Sequence, residues 1–194
     1  MKLVIVDIGG GNTGSVGIAC ERFGVQPVIS GDAEEISSAD RVILPGVAAA
    51  GFAMERIEAL GLKRMLRALR QPVLGICLGM QLLFDHSEEA DTPCLGVIAG
   101  AVRKLKPGPN RPVPHMGWSK LEVRDDNMGL RQGDYVYFAN SFACEDGPYV
   151  AANVDYGETI IPAVVRQANF IGAQFHPERS SEAGARFLEA FWAS

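Results

Sequence analysis

The sequence predicts an α/β fold: a mostly parallel central sheet with helices on both faces and an antiparallel extension in the C-terminal half. Three observations carry this. Short runs that are apolar throughout, Leu3-Val-Ile-Val6 and Arg41-Val-Ile-Leu44, read as strands covered on both faces, the usual condition of a parallel sheet. Segments with helical spacing lie between such runs, so strands and helices alternate as in βαβ units. In the second half the alternation stops, and strand-like runs follow one another with only turn signals between them.

Residues 2–8, rich in β-branched side chains, form the first predicted strand. Residues 12–24 carry Val16, Cys20 and Phe23 at helical spacing and end on a glycine, a common helix stop. Residues 27–30 make a short second strand, and 41–44 a third, closed by Pro45-Gly46. Residues 52–70 hold one or two amphipathic helices. Ile57, Leu60, Met65, Leu66 and Leu69 form their buried side, and Arg56, Lys63, Arg64, Arg67 and Arg70 the wet one. Residues 73–76 are the fourth strand. VYFANSF, YVAANV, PAVVR and FIGAQF then read as strands, with turns at Gly133-Asp134, Gly147-Pro148 and Tyr156-Gly157. Ala183, Phe187, Leu188, Phe191 and Trp192 place a closing helix against the sheet.

The chain has 194 residues, 47% hydrophobic and 21% charged, which suits one domain over residues 1–194 with a sizeable core. No apolar run exceeds strand length, so no membrane span is expected. The opening MKLVIVDIGGG lacks a signal peptide's long apolar region and cleavage site, so the expected compartment is the cytoplasm. Cys20, Cys77, Cys94 and Cys144 are too few and too scattered for a disulfide scaffold, and no CxxC spacing suggests zinc. A net charge of −5 argues against nucleic acid as a partner. Arg103, Lys104, Lys106 and Arg111, threaded by Pro107, Pro109, Pro112 and Pro114, read as a stiff, solvated loop.

Gly9-Gly-Gly11-Asn-Thr-Gly14 matches GxGxxG after a strand, with Asp32 some twenty residues on, which is the dinucleotide-binding context. The plainer reading is a tight strand-to-helix turn at the carboxyl edge of the sheet. A stronger constellation lies elsewhere. Gly75-Ile-Cys77-Leu-Gly79 parallels the G-x-S-x-G nucleophile elbow: a sharp turn from strand to helix that exposes the side chain at its tip. There the thiol sits at a helix N-terminus, and the N–H of Leu78 points where an oxyanion would form. Gln81, one turn on, faces the same side. The other three cysteines read as small buried hydrophobes.

A thiol nucleophile needs a base. Of His86, His115 and His176, the last ends an apolar strand, and Pro177 holds it extended. Glu178 can fix its tautomer as the acid of a triad does. His115 reads as part of a surface loop, and His86 as exposed, late on the Cys77 helix. Cys77, His176 and Glu178 together imply acyl transfer through a thioester.

GICLGMQLLF and FIGAQFHPE together resemble the class I glutamine amidotransferases, whose triad is Cys, His and Glu. VDIGGGNTGSV, LPGV, PHMGW, YFANSF and HPERSS are similar, more narrowly, to the glutaminase subunits of that family that serve a (β/α)8-barrel cyclase. The resemblance implies hydrolysis of L-glutamine to glutamate and ammonia, which passes to the cyclase within a heterodimer serving histidine biosynthesis. It implies no cofactor and no metal. It places Gly46, Gln81, Glu89, Asn140, Ser141 and Phe142 at the substrate, with Glu89 on its ammonium, and Val47 N–H beside Leu78 N–H in the oxyanion hole. Asn12, Met116, Trp118, Lys120, Tyr137 and Arg179 would face the cyclase. Asn140 departs from the family's histidine, Ala48 from a glycine and Ile8 from a tyrosine. The alternatives are a glutaminase serving another synthase, such as the pyridoxal phosphate or anthranilate one, a non-catalytic regulatory module, and the dinucleotide-binding reading.

Overall fold

The structure, a computed structural model, describes residues 1–10, 12–125 and 128–194. The first half alternates as predicted: β1 (Leu3–Val6), α1 (Thr13–Arg22), β2 (Val28–Ser30), α2 (Ala33–Ser37), β3 (Arg41–Leu44), α3 (Ala50–Ala59), α4 (Lys63–Ala68), β4 (Val73–Ile76) and α5 (Leu78–Gln81). Strands then dominate: β5 (Phe84–Ser87), β6 (Thr92–Pro93), β7 (Ile98–Lys104), β8 (His115–Val123), β9 (Tyr135–Asn140), β10 (Phe142–Cys144), β11 (Val150–Asp155), β12 (Ile160–Gln167) and β13 (Phe170–Ala173) precede α6 (Ser181–Ala193).

Nine strands form one sheet in the order β2-β1-β3-β4-β13-β12-β11-β8-β9. From β2 to β13 neighbours run parallel; from β13 to β9 they run antiparallel. β13, which leads into the predicted base at His176, is the strand where the two regimes meet. It lies beside β4, the strand that ends in the predicted nucleophile, with Ala173 opposite Ile76. Pairing these two strands therefore brings Cys77 and His176 to one edge of the sheet, although about a hundred residues separate them in the chain.

Alternation along β1 divides the core. Leu3 and Ile5 enter the cluster that also holds Val16 and Cys20 of α1 and Phe187 and Phe191 of α6. Val4 and Val6 enter the cluster with Ile36, Met54, Ile57 and Leu66 of α2, α3 and α4. Helices thus cover both faces. Each fully buried large side chain contributes about 1.5–3 kcal/mol, so Phe187 and Phe191, both 0% exposed, anchor α6 and with it the turn before α6 that carries the base.

Three expectations need correction. A second sheet of four strands, β10-β7-β5-β6, is not signalled by the sequence pattern; all its strands but β7 have four residues or fewer, and the apolar QLLF run continues helical spacing into it. The Cys77 helix stops after one turn, so His86 lies on β5, half-buried, with Nε2 2.8 Å from Asp91 Oδ1. His115 opens β8 rather than a loop. Its ring is buried, stacked between Phe138 and Tyr156, and burial pushes its pKa down to about 4. The prolines before it suggest a loop, but β8 alternates inward and outward along most of its length. Leu60, Gly61 and Leu62 separate α3 from α4, with Gly61 at φ 68°.

Candidate active site

The cysteine elbow arises from local sterics. Cys77 has φ 53° and ψ −108°, a conformation costly for a residue with a Cβ. The chain reverses so tightly that a Cβ on Gly75 would lie 2.6 Å from the carbonyl oxygen of Gly79, and one on Gly79 would collide with the carbonyl of Leu44. These glycines admit the close approach of α5 to β3 and β4. Gly79→Ala is accordingly expected to destabilise the chain by about 3 kcal/mol, seen as a lower urea midpoint; an unchanged midpoint would show that the elbow is loose. Cys77 N–H donates to Ala173 C=O at 2.7 Å, which ties the elbow to β13.

The base is held by backbone and side chain. His176 is extended, with φ −98° and ψ 98°. Its N–H donates to Tyr137 C=O at 2.9 Å. The hydroxyl of Ser180 donates to His176 C=O at 2.7 Å and accepts from Tyr137 N–H at 2.9 Å. The ring's Nδ1 is 2.9 Å from Glu178 Oε1, and the two side chains are only 6% and 2% exposed. Nε2 is thereby left for the thiol. Burial opposes the imidazolium, but hydrogen bonding and charge from Cys77 and Glu178 outweigh it and push His176 up to about 10. Glu178 Oε1 also accepts from Asn12 Nδ2 at 3.1 Å. Asn12 opens α1 without capping it through its side chain, and points that side chain at the triad instead.

The sulfur, the imidazole and Gln81 line a cavity of about 370 Å³, together with Asn12, Val47, Leu78, Glu89, Asn140, Ser141, Phe142 and Arg179. That is room for one amino acid. Glu89 also lines the cavity, and its Oε2 accepts the N–H of Ala50 at 2.7 Å. Asn140 is buried, donates to Phe142 C=O at 2.9 Å, and leaves its Oδ1 unpartnered. Gly46 is buried under the cavity wall rather than lining it.

The two expected oxyanion donors are not assembled. Leu78 N–H donates to Gly46 C=O at 3.4 Å. In a trans peptide the C=O and the following N–H point opposite ways. With the Gly46 carbonyl turned toward Leu78, Val47 N–H is turned away from it. A flip of the peptide between Gly46 and Val47 would free Leu78 and present both donors at once; Val47 is 56% exposed.

Beyond the mouth, Met116 and Trp118 are exposed at 65% and 50%, on the same face of β8 as Lys120. Tyr137 pairs with Trp118 across the strands, edge to face at 5.9 Å, and the Arg179 guanidinium sits 4.3 Å over the Tyr137 ring. Tyr135, exposed and paired with Lys120, extends this surface beyond the residues the sequence motifs mark. Sequence reasoning also misses Gln174 and Ser180. Both are fully buried polar residues flanking the HPE motif, and only their burial marks them.

The dinucleotide reading loses its acid: Asp32 Oδ1 caps α2, accepting from Glu34 and Glu35 N–H at 2.9 Å each. Gly11 of that motif lies outside the described residues. Among the described residues no helix is long and apolar enough to cross a membrane, and no cluster of three or more His, Cys, Asp or Glu side chains is placed to hold a metal.

A mixed sheet whose adjacent parallel strands β4 and β13 bring a strained cysteine to a histidine–glutamate pair matches a known class. The profile of the class-I glutamine amidotransferase family covers residues 4–193, and the chain belongs to that family. Within it, the chain is similar to imidazole glycerol phosphate synthase subunit HisH of Xylella fastidiosa (strain Temecula1). The two are 47% identical over 193 residues, covering 98% of this chain and 96% of that protein. It is also 47% identical over 192 residues to the protein of the same name from Idiomarina loihiensis, covering 98% and 97%. Among solved structures, one described as a glutamine amidotransferase superposes with a TM-score of 0.76 at 22% identity, covering 97% of this chain and 98% of that one. The PurLQS structure from Thermotoga maritima gives 0.72 at 20%, covering 99% and 97%; both show the shared fold.

Proposed function

We propose that this chain is the glutaminase subunit of an imidazole glycerol phosphate synthase, hydrolysing L-glutamine and delivering ammonia to a (β/α)8-barrel cyclase in a cytoplasmic heterodimer for histidine biosynthesis. The observation that carries it is the meeting of Cys77, His176 and Glu178 in one amino-acid-sized cavity, whose mouth opens beside an exposed aromatic face.

Glutamine enters with its ammonium toward Glu89, an opposite-charge contact. The thiolate of Cys77 attacks the carboxamide carbon, and the C–N bond breaks as His176 Nε2 gives its proton to the leaving nitrogen. Ammonia departs, leaving a thioester on Cys77. His176 then takes a proton from water, the hydroxide attacks the thioester carbonyl, and glutamate leaves as the proton returns to sulfur. Glu178 holds the ring's orientation and stabilises the imidazolium throughout. Both tetrahedral intermediates need Leu78 and Val47 N–H together, so the Gly46 carbonyl must first turn away. Asn12, Met116, Trp118, Lys120, Tyr137 and Arg179 form the cyclase-facing surface, and Arg179, Asn12 and Tyr137 connect that surface to the triad, which suits activation by docking. No cofactor or metal enters this scheme.

The test is glutamine hydrolysis by the chain alone and mixed with the barrel cyclase and its nucleotide ligand. A missing oxyanion donor costs about 10²–10³ in rate, so the lone chain is expected to be slower than the complex by about that factor. Equal rates contradict the scheme. A glutaminase for a pyridoxal phosphate or anthranilate synthase would leave the cyclase unbound in a pull-down.

A further inference from the structure

Behind the sulfur lies a polar residue that the scheme above does not use. Gln174 follows the last residue of β13, two positions before His176, and is 0% exposed. A buried primary amide carries two donors and two acceptor sites, and leaving them unmet is costly. Here each end has a partner. Nε2 donates to Cys77 Sγ at 3.7 Å, a distance suited to the large sulfur atom. Oε1 accepts from Gln81 Nε2 at 2.9 Å. Gln81 Nε2 donates its second hydrogen to Phe142 C=O at 2.8 Å.

The direction of this chain of amides follows from its two ends. Phe142 offers a carbonyl, which only accepts. The sulfur, once ionised, also only accepts. Gln81 must then turn its nitrogen inward, and both its N–H groups are consumed, so its Oε1 is the atom left for the cavity that Gln81 lines.

We infer that Gln174 is a positioning residue of this site, holding the sulfur of Cys77 by a donated hydrogen bond and fixing Gln81 with its oxygen toward the bound substrate. The inference rests on the reading of Cys77 as the nucleophile. An N–H donor on the substrate, its carboxamide or its ammonium, is what Gln81 Oε1 would accept. The same bond from Gln174 is stronger to a sulfur anion than to a neutral thiol, because only the anion is a strong acceptor. It also holds Sγ in one rotamer on a backbone already strained at Cys77. A hydrophobe of equal volume at position 174 would fill the space, but would leave both the sulfur and Gln81 Nε2 short of a partner.

The experiment is alkylation of the full chain by chloroacetamide across pH, with each cysteine followed by peptide mass spectrometry. Gln174→Met keeps the volume and removes the donor; Gln174→Leu removes the donor with a branched side chain, and neither places a charge beside the sulfur. In both, the pH midpoint for Cys77 labelling is expected to rise by about one unit, with labelling about tenfold slower at pH 7, while Cys20, Cys94 and Cys144 stay unlabelled. An unchanged midpoint and rate in both variants overturns the inference. So does labelling of all four cysteines in both, which would make Gln174 an ordinary core residue. A wild-type Cys77 that resists the reagent at every pH overturns instead the assignment of the nucleophile.

Discussion

Replacing Cys77 by serine is expected to lower glutamine hydrolysis by the cyclase-bound chain about a thousandfold or more. The hydroxyl is a far weaker nucleophile than the thiolate, and the base that suits a thiol is poorly matched to an alcohol. The substitution is small, and the elbow is tied by backbone bonds, Cys77 N–H to Ala173 C=O among them, so the fold should survive. The rate loss then reports chemistry rather than unfolding. An electrophilic glutamine analogue provides a second reading. It should label Cys77, which opens on the cavity, and spare the others. Cys20 and Cys94 are buried, and burial pushes their thiols up to about 12 and about 11; Cys144 is pushed up by burial as well. Turnover at the wild-type rate in the serine variant, or labelling spread over all four thiols, would refute the assignment.

Glu178→Gln is expected to cost about 10²–10⁴ in turnover while leaving the geometry nearly intact. Glutamine can keep the accepting oxygen toward Asn12 and His176, and its nitrogen would take the place of Glu178 Oε2, which has no partner. What disappears is the negative charge opposite the imidazolium. The same variant changes the pH dependence of stability. His176 binds its proton more tightly folded, at about 10, than unfolded, near the ordinary 6.5. The contribution of the proton is therefore complete below about pH 6.5 and is lost as pH rises toward 10. Urea unfolding at pH 6 and pH 9.5 should show the wild type losing more stability between these points than Glu178→Gln. Equal losses, or an unimpaired rate, would remove Glu178 from the role given to it.

Much of this was legible in the residues. LVIV and RVIL required strands covered on both faces, and both became neighbours in the parallel half of the sheet. The paired glycines around Cys77 announced a turn too tight for side chains, and the reason is visible in the contacts a Cβ would make. HPE placed an imidazole and a carboxylate two residues apart, and proline held the histidine extended. Less was legible where local pattern is ambiguous. QLLF continues helical spacing past Gln81, yet the helix ends there and a strand of the second sheet follows, because Phe84 pairs with Ile98 of β7. PHMGW has the composition of a loop, and only its pairing with β9 makes it a strand.

The amino-acid order alone determined the short-range features: which runs could be buried strands, where only glycine could stand, and which residues could serve as nucleophile, base and acid. These depend on sterics and chemistry within a few residues. Tertiary structure decided the orientations. Whether the Gly46 carbonyl or the Val47 N–H faces Leu78, which end of Gln174 meets the sulfur, and which atom of Gln81 remains for the substrate are all two-way choices with nearly equal local energies. Each is settled by a hydrogen-bond partner distant in the chain, such as Cys77 for Gln174, 97 positions away, and such partners exist only once β4 and β13 lie side by side.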